Sequence, residues 1–457
     1  MVRALRLLIA ALAVVVAAPL ARPASLVTSD GEKPNVLLIT VDTLRADHLG
    51  VYGYARPTSP ELDRLAREGV VFTDAVTPVP TTAPALASLL TSRHANVHGV
   101  RENFGELPDE MATMAEAFAA AGYATAGFYG NGAIRNGFGQ GFETFEPFAD
   151  HWFFKDTAGA DKAIAWLATA KEPWFLWVHF MDPHGPYNSS PPEKSKALVY
   201  PQTPRLERVL PEAETNYGFG VLPKYQRLPK HTKVVDYVRR YDGEIIGTDA
   251  AIGRLREALE NEGVLEKTLL LVTADHGESL GEGRYFFQHG ALLNDPSVRI
   301  PLILRHPALA AGTRNETPAS LVDVFPTVAA LVGVDVPRGL VGRDLSGALS
   351  APAPTDERVR VGYTVTPSQK TSVRRGRWEL RGHPRPNEAP DAFVRVELYD
   401  HRTSPPTLVP AGEQAEVREA LLPLLRAASL ELRERPGTAR EPTDDEKARL
   451  RALGYID

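Results

Sequence analysis

The sequence predicts an α/β protein: a mostly parallel central sheet covered by helices on both faces, followed by a small α+β subdomain. Three observations carry this. Continuous apolar runs rich in β-branched residues occur at Val36–Asp42, Trp174–Asp182 and Thr268–Asp275, with a fourth in IPLILR, as expected for strands buried on both faces. Helical segments alternate with these runs, which argues for a parallel sheet. Near Pro337 the composition changes, and alternating segments such as RVRVGYTV and FVRVELYD follow.

The elements read in order. SPELDRLAREG opens on Ser-Pro, carries early acids and closes on Gly69, the signs of a short helix. TTAPALASLLTSR reads as a helix opening at Thr81 or Thr82, and MATMAEAFAAAG as another ending at Gly122. YATAGFYGN is strand-like. Residues 188–233 are long, Pro-rich and weakly periodic, and a loop of that length is usually functional or disordered. VDYVRRYDGEIIGTDAAIGRLREALENEG is a long amphipathic helix, on which Asp242 and Asp249 read as a solvated or structural face. A last helix is expected from Ala415 to Arg435.

The bulk numbers narrow the function. Net charge is −6, so no basic field recruits nucleic acid or an anionic membrane. The chain has no cysteine, which excludes disulfides and Cys-ligated zinc. Arg3 and Arg6 precede an apolar run from Leu7 to Leu20, which is short of the ~20 residues a membrane span needs. Residues 1–26 are therefore expected to be a signal peptide, with an uncleaved N-terminal anchor as the alternative. Residues 33–335 are expected to form the catalytic domain and 336–457 the C-terminal subdomain. The expected location is exported, in a bacterial periplasm or outside the cell.

The strand ends carry the chemistry. One run ends in Asp42, one in His179, Asp182 and His184, and one in Asp275 and His276. In open α/β sheets ligands bind beyond the carboxyl ends of the strands, so these groups converge on one site. A single such Asp could simply cap a helix; three strands ending this way point to a metal or acid–base site. His179, inside an apolar strand, is read as a core histidine, and His48 as a surface or loop residue.

Five segments, in order, resemble the sulfatase family of the alkaline phosphatase-like superfamily: PNVLLITVDTLRADHLGVYGY, TTAPALASLLTSRHANVHGV, WVHFMDPHGPY, TADHGESLGEGRYFFQHGALLNDPSVRIPLIL and the closing ARLRALGYID. The resemblance implies a three-layer αβα fold and hydrolysis of a small-molecule or glycan sulfate or phosphate ester. It implies metal binding by Asp42, Asp275 and His276, with the Thr82 oxygen as a further ligand. Thr82 occupies the nucleophile position, two residues before Pro84. Asn103, Tyr129, Asn131 and His289 fall where relatives contact the transferred anion, with Gln288 as the alternative to His289. His184 falls at the acid near the leaving group. The implied cofactor is one divalent metal, calcium or manganese ahead of zinc or iron.

Two departures matter. Most sulfatases oxidise a Cys or Ser to formylglycine at the nucleophile position and have an Arg four residues on; here these are Thr82 and Leu86. Thr43 stands where many relatives have a second Asp. Thr cannot become formylglycine, so its covalent ester must be cleaved by water at sulfur or phosphorus. This leans toward phosphodiesterase, phosphonate monoester hydrolase or phosphoryl transfer activity. Two further readings stand beside it: Thr82 as a helix N-cap only, and the whole fold as a non-catalytic binder of sulfated or phosphorylated glycans.

Overall fold

The structure, a computed structural model, describes residues 25–148, 156–188, 195–216, 218–350, 358–365, 369–385, 388–389, 391–431 and 443. The expected signal peptide, apart from its last two residues, and the closing ARLRALGYID lie outside them.

The first half runs β1 (Asn35–Val41), α1 (Pro60–Glu68), β2 (Val70–Phe72), β3 (Ala75–Val76), α2 (Thr82–Thr91), α3 (Ala95–His98), α4 (Met114–Ala120), β4 (Ala124–Tyr129), β5 (Thr144–Pro147), α5 (Asp156–Leu167) and β6 (Trp174–Phe180). It continues with α6 (Val234–Asn261), β7 (Thr268–Ala274), β8 (Ser279–Leu280), β9 (Phe286–Gln288), α7 (Asp295–Val298), β10 (Leu302–Arg305), β11 (Thr313–Asn315), β12 (Ala319–Ser320) and α8 (Val324–Val332). The C-terminal part holds β13 (Val359–Tyr363), β14 (Thr371–Arg375), β15 (Trp378–Pro384), β16 (Phe393–Asp400), β17 (Thr407–Leu408) and α9 (Ala415–Glu431).

The main sheet has eight strands in the order β11-β2-β10-β7-β1-β6-β4-β5. Strands β7, β1, β6, β4 and β5 are parallel to their neighbours, whereas β10 runs against both β7 and β2. Every residue of β1, β6 and β7 is buried, which explains their unbroken apolar sequences. Leu37, Leu38 and Ile39 have no exposed surface, and each such side chain contributes roughly 1.5–3 kcal/mol. Helices α1, α5 and α6 pack together, while α2 packs with α3, α4 and α8, giving the two helical layers. All ten residues of α2 are buried, so it is a core helix rather than an amphipathic one.

The structure decides between the two readings of the α6 acids in favour of a structural role. Asp242 and Asp249 are buried, not solvated. Asp242 accepts hydrogen bonds from His48 (2.6 Å), Tyr54 (2.6 Å) and Tyr200 (2.5 Å). Asp249 accepts the backbone N–H groups of Glu61 and Leu62 and so caps α1. His48 is likewise buried. The loops that follow β1 and precede α6 cover this helix face and supply the donors, which helix periodicity alone does not reveal.

The C-terminal strands β13 to β17 form an antiparallel sheet backed by α9, with its own core of Val373, Leu380, Leu398, Leu421 and Leu425. Leu345, Leu349 and Tyr363 still belong to the main core, so packing changes hands well past the expected boundary at residue 336. A partly buried ion cluster joins the two parts: Asp74, between β2 and β3, meets Arg360 of β13 at 2.7 Å and Arg374 of β14 at 3.1 Å.

Burial acts to raise the Asp74 pKa, but the two arginines hold it at about 2, against an ordinary 3.8. A carboxyl depressed in the folded state adds stability above its unfolded pKa and loses it as pH falls toward the folded one. Asp74→Asn is therefore expected to lower unfolding free energy by about 3 kcal/mol near neutral pH. In urea titrations the gap to the unsubstituted protein should narrow between pH ~4 and ~2; a gap independent of pH would refute the ion-pair assignment.

Candidate active site

Strands β1 and β7 are adjacent, and Val41 pairs with Ala274. The next residues, Asp42 and Asp275, therefore leave the sheet side by side. Both are fully buried. Asp42 Oδ2 accepts from Asn131 Nδ2 at 2.6 Å, and Asp275 Oδ1 accepts from the backbone N–H groups of His276 (2.7 Å) and Thr43 (3.2 Å). The remaining oxygens, Asp42 Oδ1 and Asp275 Oδ2, have no hydrogen-bond donor. His276 Nε2 lies 3.9 Å from the first and 3.4 Å from the second.

His276 Nδ1 lies 2.9 Å from the carbonyl of Gly277. A carbonyl can only accept, so Nδ1 carries the proton and Nε2 turns its lone pair toward the two carboxylates. Burial and the neighbouring His289 push His276 down to about 3, so it stays neutral. Burial and the charge of Asp42 push Asp275 up. Burial works the same way on Asp42, but His184, His179 and His276 outweigh it and hold Asp42 low.

Three ligand atoms, one each from Asp42, Asp275 and His276, lie within 4.8 Å of one another. Two orphaned carboxylate oxygens and an imidazole lone pair facing one point are what a divalent cation satisfies. The residues present thus fit the metal that the fold implies.

Thr82 Oγ1 lies 3.3 Å from His276 Nε2 and is fully buried. Thr82 is the first residue of α2; the N-cap is Thr81, which makes no side-chain cap. Asn103 does that work instead, its Oδ1 accepting the N–H of Ala83 at 2.9 Å. The Thr82 hydroxyl is therefore not used in capping.

His184 donates Nδ1–H to the Gly185 carbonyl at 2.7 Å, and burial lowers its pKa. Its ring lies 5.2 Å from that of His289, which in turn lies 4.4 Å from that of His276. Gln288, the alternative to His289, is tied to Gly218 through both ends of its amide. Burial works to lower the His289 pKa, but Glu278 raises it, with Nδ1 3.3 Å from Glu278 Oε1. Tyr129 makes its described contacts elsewhere: its ring stacks on Phe145 at 4.7 Å and its hydroxyl meets Arg135. The aromatic layer of Phe142, Phe145 and Trp177 holds it there.

Sequence reading missed several neighbours. His179, read as a core histidine, does bond Thr40 at 2.9 Å, yet its Nε2 also lies 3.7 Å from Asp42 Oδ2. Glu278 is buried between Tyr187 and His289. The acid two residues after His276 was its available signal. Thr43 has φ +55°, a rare conformation for a β-branched residue.

The chain matches the protein family described as Sulfatase over residues 34–334. It is 28% identical over 368 residues to an ulvan-active sulfatase of Formosa agariphila, covering 73% of this chain and 68% of that protein. It is 28% identical over 424 residues to the multifunctional alkaline phosphatase superfamily protein PehA of Trinickia caryophylli, covering 72% and 80%. Its fold is similar to that of a protein solved with its substrate D-glucosamine-2-N,6-O-disulfate (TM-score 0.73, 20% identity, 90% of this chain and 100% of that one). It is also similar to the phosphonate monoester hydrolase of Agrobacterium radiobacter (TM-score 0.69, 21% identity, 88% and 95%).

This αβα fold, with an Asp-Asp-His cluster at its strand ends, defines an ester hydrolase of the alkaline phosphatase-like superfamily. Within that superfamily, the chain belongs to the sulfatase family.

Metal analysis of the purified protein is expected to find one divalent ion per chain, and Asp275→Ala to lose it. Chelation should lower thermal stability, since an ion present at ~100 times its Kd stabilises by about 2.7 kcal/mol. An unchanged melting temperature after verified stripping would count against the cluster as a metal site.

Proposed function

We propose that this protein is a metal-dependent hydrolase of sulfate or phosphate esters that works through a covalent ester on Thr82. The observation that carries this is the Thr82 hydroxyl, uncommitted to capping, 3.3 Å from His276 Nε2 in the buried Asp42–Asp275–His276 cluster. A divalent cation held by those residues supplies the charge that lowers the hydroxyl's pKa and offsets charge on the ester.

Thr82 opens α2, where free backbone N–H groups and the helix dipole favour an anion. The deprotonated Thr82 oxygen bonds to sulfur or phosphorus, and the bond to the leaving oxygen breaks. His184, when protonated at Nε2 as well as at Nδ1, gives that oxygen a proton, a contribution on the order of 100-fold. Water then attacks the same centre, gives a proton to His184, displaces Thr82 and frees the transferred group as its anion. Asn103, Asn131 and His289 orient the anion or the groups that bind it. Asn131 acts partly through Asp42, since its amide donates there. We assign Tyr129 no catalytic step, since its ring stacks on Phe145.

One observation favours phosphorus over sulfur, and with it phosphodiester or phosphonate monoester substrates. Thr82 cannot form the geminal diol by which formylglycine expels sulfate, and Thr43 adds no second carboxylate. We also propose that the protein is exported, on the strength of Arg3, Arg6 and the apolar run to Leu20. Among the described residues no helix is long and apolar enough to cross a membrane.

Paired aryl sulfate and aryl phosphate assays decide the preference, with the phosphate expected to turn over faster. Thr82→Ala should lower kcat by at least ~1000-fold, as expected for loss of a nucleophile. Intact mass after brief substrate exposure should show a phospho- or sulfo-adduct on Thr82. Unchanged turnover in Thr82→Ala with both substrates would overturn the catalytic assignment.

A further inference from the structure

We propose that Glu278 is a positioning residue: it fixes the orientation of His289, so that His289 meets the oxygens of the transferred group only while Glu278 holds it. This rests on the reading of the Thr82 cluster as the catalytic centre.

Glu278 has no exposed surface. Its Oε1 lies 3.3 Å from His289 Nδ1, and its Oε2 accepts the Tyr187 hydroxyl at 3.1 Å. A carboxylate offers only acceptors, so Nδ1 of His289 carries the proton and the Nε2 edge turns away from Glu278. The ring is thereby set between those of His276 and His184, at 4.4 and 5.2 Å. A ring held at one nitrogen can present the other in one direction only.

Glu278 is itself held firmly. Its carbonyl accepts from Arg45 Nη1 at 3.0 Å. Gly277 before it donates to the Ser297 carbonyl at 2.9 Å and passes so close to α7 that a Cβ there would sit 2.0 Å from the Pro296 oxygen. Only glycine permits that approach, and it throws His276 and Glu278 toward the site on either side. Tyr187 packs edge-on against Tyr241 at 5.6 Å, and the Tyr241 hydroxyl donates to the carbonyl of Thr43 at 2.7 Å. One network therefore runs from the residue after Asp42, through two tyrosines and Glu278, to His289. A side chain that merely filled space would not need both carboxylate oxygens committed in this way.

The test is steady-state kinetics of Glu278→Gln, His289→Ala and the double variant, with whichever aryl ester the enzyme turns over, alongside metal content and melting temperature. Glu278→Gln is expected to lower kcat/KM by roughly 10- to 100-fold, the usual cost of losing a group that orients a site residue. The double variant should lose no more than His289→Ala alone, because Glu278 acts through that ring. Metal content should be unchanged. Losses that multiply, or a Glu278→Gln enzyme equal to the unsubstituted one, would overturn the proposal. If Glu278→Gln does not fold, Tyr187→Phe decides: a several-fold loss that vanishes in the His289→Ala background supports it, and a loss that persists there refutes it. Thr82→Ala in the same assay separates the two readings. A dead Thr82→Ala beside a silent Glu278→Gln sinks only the positioning role, whereas an active Thr82→Ala sinks the catalytic centre itself.

Discussion

Two buried carboxylates stand at the ends of neighbouring strands, and the rest of the site follows from that. Asp42 and Asp275 are adjacent because Val41 and Ala274 are register partners in the centre of the sheet, not because a loop brings them together. Each has one oxygen satisfied by protein donors and one without a donor. In a dry interior such a pair repels strongly, and a buried acceptor without a donor costs about 1–3 kcal/mol. Three histidines, His179, His184 and His276, surround Asp42 and hold its pKa down, yet burial leaves His184 and His276 reluctant to be charged. Neutral imidazoles beside paired carboxylates have too little positive charge of their own. A cation held by Asp42, Asp275 and His276 would resolve the conflict.

The backbone accepts strain to keep this arrangement. Thr43 sits at φ +55°, where a β-branched residue costs on the order of 1–3 kcal/mol. In that conformation its N–H reaches Asp275 and its carbonyl accepts the Tyr241 hydroxyl, which in turn accepts the N–H of Arg45. Tyr241 belongs to α6, the long helix whose buried Asp242 and Asp249 anchor the loop after β1 and the start of α1. The strain at the strand end is thus opposed by a helix fixed at several points along its length. This is why Thr43 can stay in that conformation with its N–H on Asp275.

The strands, the main helices and the Asp42–Asp275–His276 group were legible because their signals are local: unbroken apolar runs, followed at once by acids and histidines. What stayed hidden depends on partners far away in the chain. His179 looks like any histidine in an apolar strand, and only the pairing of β6 with β1 shows its second nitrogen facing Asp42. Asp242 and Asp249 sit one polar face apart on an amphipathic helix, and nothing in that spacing announces the loop residues that bury them. Tyr129 was placed by resemblance of position, but its ring is drawn into an aromatic layer built from residues 142 to 177, which no motif encodes. Glu278 was visible as an acid beside the metal pair, but its role requires seeing Tyr187 and His289 on either side.

On the proposed mechanism, Thr82 constrains the chemistry more than any other single residue. A formylglycine diol releases sulfate by breaking a carbon–oxygen bond, and needs its second hydroxyl to do so. A covalent ester on Thr82 has no such exit, so the same sulfur or phosphorus centre must be displaced twice, the second time by water entering where the leaving group departed. The site must then hold the anion equally well through both displacements, which favours fixed donors over mobile ones. Asn103 meets this condition, with Oδ1 committed to the N–H of Ala83 at the start of α2, and so does His289, with Nδ1 committed to Glu278. In the proposed scheme His184, with Nδ1 tied to the Gly185 carbonyl, gives a proton from Nε2 as the imidazolium in the first step and takes one from water in the second. On the proposed mechanism, fixed groups of this kind suit double displacement at phosphorus.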